Sequence, residues 1–174
     1  MSKLWKFLFG TCRINSMVPF LSVKVILSRK AYSQIKYHLI NAKNDYETGG
    51  ILIGYKIGQI YFVIAVTAPN KIVDKSNISF VLEGKQHTKQ VLKIMRRSLW
   101  YKPSILGVWH SHICDDVVFS EQDRISNQEC AKFFNGALSM ITKLPVSSQE
   151  LKLNTYFITN KGCELHCHTY SWFV

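Results

Sequence analysis

The sequence predicts a mixed α/β fold in which a mixed β-sheet is flanked by about three α-helices. Segments rich in β-branched residues alternate along the chain with segments of helical periodicity, in the order strand, helix, three strands, helix, strand, helix and further strands. The chain has 174 residues, of which 47% are hydrophobic, so it can bury a sizeable core. We expect an N-terminal arm over residues 1–20 and one domain over residues 21–174.

Strands are predicted where β-branched and aromatic residues cluster or alternate between turn-forming residues. They cover residues 23–28, 49–55, 60–68, 78–82, 104–110, 137–142, 151–159 and 163–170. Gly54 and Gly58 punctuate the second and third of these segments, which predicts a hairpin.

Helices are predicted over residues 29–44, 85–100 and 120–134. In the first, the apolar residues at helical spacing are Ala31, Ile35, Leu39 and Ala42. In the second, one side is predicted to carry Val91, Leu92, Met95 and Leu99, with basic residues on the other side and Pro103 marking its end.

The chain is basic, with 22 Lys and Arg residues against 11 Asp and Glu residues and a net charge of +11. Such a charge favours polyanions or acidic protein surfaces, although it is also compatible with a basic surface that binds nothing specific. The lysines do not form one long run, and zinc-finger spacing, RNA-binding strand signatures and phosphate loops are absent from the sequence. We therefore expect no specific nucleic-acid partner.

Five cysteines in a chain of this length do not suggest a disulfide framework. We expect reduced thiols and a cytoplasmic protein. The basic, apolar segment at residues 1–10 lacks a cleavage site and is too short to span a bilayer, so no transmembrane segment is predicted. It is interpreted as an arm, with an amphipathic segment that touches a membrane or partner as the alternative.

Two histidines, His110 and His112, stand at the end of the predicted strand 104–110. Residues two apart in a strand point to the same face, so both imidazoles can be presented side by side. Zinc prefers such nitrogen donors together with a carboxylate, which Asp123 can supply from the first turn of the next helix, and a catalytic site leaves its fourth position open. Glu47, just before two glycines, is a candidate for proton transfer beside the metal.

Each of these residues has a simpler interpretation when it is taken alone. Two histidines in a buried strand are usually structural, and Ser120 followed by Asp123 is typical of a helix N-cap with an acidic first turn. Glu47 alone is an ordinary surface acid. The spacing of the whole set argues for the metal site.

The set resembles the JAMM motif of MPN-domain metalloproteases, which has an upstream Glu, then His-x-His, ten residues and Asp. The matching segments are ETGGILIGY from Glu47, GVWHSH from Gly107 and SEQD from Ser120, with ten residues between His112 and Asp123. The resemblance extends in element order over residues 23–159, and the compact chain resembles the small stand-alone prokaryotic JAB-type proteases.

The resemblance implies an MPN-like fold with one zinc ion per chain, bound by His110, His112 and Asp123. It also implies that Glu47 is the general acid/base and that Ser120 steadies the oxyanion of the tetrahedral intermediate. Ile113 stands where many members have Pro, so the path of the loop that follows, and the substrate contacts near it, depart from the family pattern. Cys114 in that loop is not expected to reach the metal.

Catalytic members of this family cleave after the C-terminal glycine of ubiquitin or ubiquitin-like proteins. The implied function is deconjugation or precursor processing, with E1- and E2-like enzymes as further partners and antiphage defence as a setting. Gly49 and Gly50 would border a strand edge that pairs with an extended substrate tail. The alternatives are a catalytically silent MPN scaffold in a protein complex and a nucleic-acid-associated JAB-like protein.

The C-terminal region contains another cluster of possible metal ligands: Cys163, His166, Cys167 and His168. A second metal site is conceivable there. However, strand alternation over residues 163–170 would place the two cysteines on one face and the two histidines on the other. The four side chains could then converge only if the strand bends.

Overall fold

The computed structural model describes residues 22–42, 46–68, 84–97, 101–113, 117–145 and 150–172. The elements within these residues are β1 (Lys24–Ser28), α1 (Arg29–Ala42), β2 (Gly49–Ile57), β3 (Ile60–Val66), α2 (Gly84–Arg96), β4 (Ser104–Ser111), α3 (Glu121–Phe134), β5 (Ala137–Lys143), β6 (Lys152–Ile158), β7 (Glu164–His166) and β8 (His168–Trp172). The predicted arm over residues 1–20 and the predicted strand over 78–82 lie outside the described residues.

The eight strands form one sheet in the order β7-β6-β5-β4-β2-β3-β1-β8. Three neighbouring pairs are parallel: β1 with β3, β1 with β8, and β4 with β5. The other pairs are antiparallel. The predicted mixed sheet with helices is confirmed, and β4 lies in its interior between β2 and β5.

The predicted strand over residues 163–170 is wrong in one respect, because it is divided at Cys167 into β7 and β8. β7 pairs with β6, whereas β8 pairs with β1 at the opposite end of the sheet. The amide of Cys167 donates to the carbonyl of Thr155 in β6, and the Thr169 hydroxyl donates to the Thr155 hydroxyl. The two ends of the sheet are therefore drawn together at this point.

The helices α1 and α3 cover different parts of the sheet. In α1, the four residues predicted to face the core are all buried: Ala31, Ile35, Leu39 and Ala42. Three of them, Ala31, Ile35 and Leu39, belong to a core that includes Trp109 of β4 and Met140 of β5. A second core, beneath α3, contains Ala131, Ile141 and Ile158.

The predicted apolar side of α2 is only partly correct over the described residues, outside which Leu99 lies. Val91 is buried, but Leu92 is 47% exposed, and the buried neighbour of Val91 is His87 one turn earlier. His87 Nδ1 lies 2.6 Å from the Thr67 hydroxyl. A polar contact therefore takes part in anchoring this helix, which local hydrophobic periodicity does not reveal. Among the described residues, no helix is long and apolar enough to cross a membrane.

Candidate metal centre

The two histidines lie at the end of the interior strand β4. His110 is in register with Gly49 of β2 on one side and with Ile141 of β5 on the other. Beyond the last residue of β4, the amide of His112 donates to the carbonyl of Thr142. Both histidines are buried, at 5% and 8% exposure, so their imidazoles are held in a largely desolvated position.

Asp123 is presented by the N-terminus of α3. Ser120 is the N-cap: its hydroxyl accepts a hydrogen bond from the Asp123 amide, and the Asp123 carboxylate accepts one from the Ser120 amide. This capping box satisfies two backbone donors that the first helical turn would otherwise leave open. The cap and the predicted ligand role of Asp123 are thus compatible, because the bond from the Ser120 amide helps to orient the carboxylate.

The three predicted ligands converge on one point. The Nε2 atoms of His110 and His112 are 3.0 Å apart, and they lie 2.9 Å and 3.3 Å from the two oxygens of Asp123. Three ligands on a tetrahedral zinc ion with bonds of about 2.1 Å would be about 3.4 Å from one another. The observed separations are within half an ångström of that value, so this donor set fits a zinc ion.

Asp123 is held in its ionised form. Burial acts to raise its pKa, but hydrogen bonds with the side chains of His110, His112 and Ser120 outweigh burial, and the pKa is lowered well below its ordinary value. A carboxylate must be deprotonated to bind a metal, so these contacts prepare the residue for that role.

Glu47 faces the same cluster. Burial raises the pKa of its carboxyl group; the imidazoles of His110 and His112 act to lower this pKa, and the Asp123 carboxylate acts to raise it. The structure therefore places a half-buried carboxyl group within electrostatic reach of all three candidate ligands. Such a raised pKa suits a group that takes up and returns a proton.

Ser120 is exposed, and its hydroxyl donates to the Asp123 carboxylate over 2.6 Å. Its proton is therefore directed at Asp123 in this structure. Contact with a substrate oxygen would require the hydroxyl to rotate, so oxyanion stabilisation by Ser120 stays a prediction.

Gly49 and Gly50 lie inside the sheet and are buried. A Cβ at Gly49 would be 2.3 Å from the carbonyl oxygen of Trp109, and one at Gly50 would be 1.9 Å from that of Thr67. Close backbone approach explains why glycine occupies both positions. β4 pairs with one edge of β2 at both glycines, and the pairing of a substrate tail with them stays a prediction.

Several supporting residues were not identified from the sequence. Ser111, between the two histidines, is buried and bonds to the backbone of Thr48 in two places, while the Thr142 hydroxyl donates to the carbonyl of His110. The sequence does indicate that Ser111 supports the site from the other face, since alternation along a strand directs its side chain away from the two imidazoles. Local sequence gives no comparable signal for Thr142.

Side chains from β5 and β6 form hydrogen bonds with the backbone on both sides of the loop after His112, at Ile113 and at Val117. Lys143, which is 4% exposed, donates from Nζ to the carbonyl of Ile113. Asn154 donates to the carbonyl of Val117. The bond from Lys143 constrains the backbone at Ile113, the residue that departs from the family pattern, and the bond from Asn154 constrains it at Val117. Cys114 lies outside the described residues.

The C-terminal cluster does not form a second centre. Across the described ranges, the one group of three or more His, Cys, Asp or Glu side chains that could hold a metal ion is His110, His112 and Asp123. Cys163, His166, Cys167 and His168 do not converge in this way.

Comparisons with known proteins agree with this geometry. The chain matches the family described as prokaryotic homologs of the JAB domain over residues 28–153. No curated protein matches it. Among solved structures, it is similar to the solution structure of protein DSY2949 from Desulfitobacterium hafniense, with a TM-score of 0.65, 18% sequence identity and coverage of 86% of this chain and 94% of that chain. The structural likeness concerns the fold alone, but the family match contains both histidines, Asp123 and Glu47, and the chain belongs to the prokaryotic homologs of the JAB domain.

Proposed function

We propose that this protein is a zinc-dependent isopeptidase or peptidase that cleaves after the C-terminal glycine of a ubiquitin-like protein. The observation that carries the proposal is the convergence of two buried imidazoles and one ionised carboxylate on a point that Glu47 also faces. Membership of the JAB family supports the reaction class. The substrate class follows from the resemblance to catalytic members with the same motif.

The chemistry divides between the metal and the chain. Zinc, when bound by His110, His112 and Asp123, would polarise the scissile carbonyl and lower the pKa of a water molecule. The carboxylate of Glu47 takes the proton from the attacking water and later delivers it to the leaving amine. Its raised pKa brings proton uptake and release closer to neutral pH.

Ser120 is proposed to stabilise the developing oxyanion. Its hydroxyl is at the N-terminus of α3, where the helix dipole also favours negative charge. When substrate is bound, rotation of the hydroxyl away from Asp123 would direct its proton to the substrate oxygen. The amide of Asp123 would still be available to cap the helix through the same serine oxygen.

The setting we propose is a bacterial ubiquitin-like conjugation system, including antiphage defence, in which E1- and E2-like enzymes are partners. Deconjugation from targets and processing of a precursor require the same bond cleavage. The odd cysteine count supports a cytoplasmic location.

Metal content is the first test of this proposal. Elemental analysis of the wild-type protein should give about one zinc per chain, and a folded His110→Ala/His112→Ala variant should have lost it. A folded wild-type protein that stays metal-free after zinc is supplied would overturn the proposal that this protein is a zinc enzyme. A scaffold in a protein complex would then be the leading function.

Activity is then measured on fusions in which a reporter follows the C-terminal glycine of a ubiquitin-like protein. Glu47→Gln should retain zinc but lose about 10²- to 10⁴-fold in kcat, since it removes the acid/base group while preserving the shape of the side chain. Cleavage of the fusion by Glu47→Gln at the wild-type rate would show that Glu47 is not the catalytic group.

A further inference from the structure

Ser111 forms a two-point contact with the residue that follows Glu47. The amide of Thr48 donates to the Ser111 hydroxyl over 2.9 Å, and the amide of Ser111 donates to the carbonyl of Thr48 over 2.7 Å. Both residues are buried, at 4% exposure each. These bonds continue the pairing of β2 with β4 one step beyond Gly49 and His110, and the side chain supplies one of the two.

The contact with Thr48 controls the backbone of Glu47. A peptide group is planar, so the Thr48 amide lies in one rigid unit with the Cα and carbonyl of Glu47. An acceptor fixed on the Thr48 amide therefore fixes the orientation of that unit. The second bond, to the Thr48 carbonyl, fixes the next peptide group along the chain.

Ser111 lies between the two histidines, so its bonds to Thr48 relate the peptide groups next to Glu47 to the candidate metal ligands. Alternation along β4 sends the side chain of Ser111 to the face opposite the imidazoles of His110 and His112. The residue can thus hold Thr48 without entering the space where the ligands converge. Its own backbone is continuous with both ligands, so a shift of Thr48 relative to Ser111 is a shift of Glu47 relative to the imidazoles.

We infer that Ser111 is a positioning residue that, through its two hydrogen bonds with Thr48, fixes the carboxyl group of Glu47 relative to His110 and His112. This inference rests on the proposed function for its catalytic consequence. Its structural content, the constraint on Thr48, can be measured without any reaction.

Ser111→Ala should lower kcat on the ubiquitin-like fusion by about 100-fold, because a displacement of about 1 Å in a catalytic group costs this much. KM should stay near the wild-type value, since the lost positioning acts on the transition state and not on substrate binding. Zinc content should remain about one per chain. Ser111→Thr, which keeps the hydroxyl oxygen, should restore most of the rate.

Ser139→Ala is a matched control in the same sheet. Ser139 of β5 is fully buried, and within the described part of the chain its hydroxyl has no hydrogen-bond partner. The same atom is removed from a buried strand position, so loss of packing is comparable. Ser139→Ala should leave kcat, KM and zinc content at the wild-type values.

Hydrogen exchange of the Thr48 amide, followed by NMR on the protein as purified, gives the readout that needs no activity. Ser111→Ala should speed this exchange by at least about tenfold relative to wild type, because the buried amide loses its acceptor. Ser139→Ala should leave it unchanged.

The outcomes separate the two proposals. A wild-type protein that binds zinc but cleaves no fusion would sink the proposed function, while slow Thr48 exchange that depends on Ser111 would still support the contact. A wild-type enzyme whose kcat or Thr48 exchange is unaffected by Ser111→Ala would overturn the positioning role. Loss of zinc in that variant would also overturn it, since Ser111 would then support the ligands and not Glu47.

Discussion

Two segments of this chain have the pattern His-x-His, but the two histidines lie side by side in only one of them. His110 and His112 lie at the end of the interior strand β4, with ring centroids 5.0 Å apart and both rings buried. His166 and His168 are both exposed and belong to different strands: His166 pairs with Tyr156 in β6, and His168 pairs with Lys24 in β1. The same local spacing therefore produces a metal-compatible pair in one place and two separate surface residues in the other.

The difference lies in what surrounds each pair. The strand pairing of β4 is continued at His112 by its bond to Thr142, and α3 brings the Asp123 carboxylate to both imidazoles. The pair in the tail is split at Cys167, where the chain passes from one end of the sheet to the other. In this protein, the His-x-His pattern gives a group that could hold a metal where the backbone stays regular through it and Asp123 supplies a third donor.

The largest expected effect comes from removing that third donor. Asp123→Asn should reduce zinc affinity by more than about 100-fold, which exceeds the usual effect of losing a residue that only supports a ligand. The amide is nearly isosteric but neutral, and it is a poor zinc ligand. Isothermal titration with zinc on folded, metal-free protein measures the change.

The C-terminal pair, His166 and His168, provides the control for this comparison. His166→Ala/His168→Ala removes the same number of imidazoles in the same spacing from exposed positions, so zinc stoichiometry and affinity should equal those of the wild type. If this variant lost zinc and Asp123→Asn did not, the assignment of the two segments would have to be reversed.

A smaller effect is expected on acid stability of the metal-free protein. The pKa of Asp123 in the folded state is lowered by its hydrogen bonds, from an ordinary value of 3.8. The carboxylate's contribution to the free energy of unfolding is therefore fully present above that pH and is lost as the pH falls below it. Hydrogen bonds to a charged group suggest a contribution of about 2 kcal/mol.

Urea unfolding of chelator-treated protein between pH 7 and pH 3 tests this contribution. The wild type should be more stable than Asp123→Asn at pH 7, and the difference should stay constant down to about the ordinary pKa of 3.8 and shrink below it. A difference that stayed constant with pH would mean that the charge of Asp123 contributes nothing to folding and that the two variants differ for another reason.

Most helices and strands, and the convergence of His110, His112 and Asp123, could be predicted because their signals are local. Four periodic residues define the buried side of α1, and the spacing of Ser120 and Asp123 predicts the cap that the structure shows and the placement of Asp123 beside both histidines. The two histidines follow directly from the strand. In each case the side chains that matter are separated by a few residues, and regular backbone geometry converts that spacing into a shared face.

The remaining features depend on contacts between distant residues, which local patterns do not encode. The bond from Ser111 to Thr48 spans 63 positions, and that from Asn154 to Val117 spans 37. The exposure of Leu92 was also missed, because His87 and its contact with Thr67 take part in anchoring α2. Sheet order places Ser111 beside Thr48 through the pairing of β4 with β2, and this order is not predicted from the sequence.

Cys167 gives the last and smallest test of the contrast between the two His-x-His segments. It lies between the tail histidines as Ser111 lies between the ligands, and it is 2% exposed. Burial raises the pKa of its thiol to about 12, so the sulfur stays protonated at neutral pH, whereas zinc binds the thiolate.

Cys167→Ala should therefore leave zinc content unchanged and cost only roughly 1 kcal/mol in the free energy of unfolding, the loss expected for one small buried group. Elemental analysis and urea unfolding measure the two quantities. Loss of zinc in this variant would mean that the tail contributes to metal binding after all, because a purely structural thiol cannot change the stoichiometry of a folded protein.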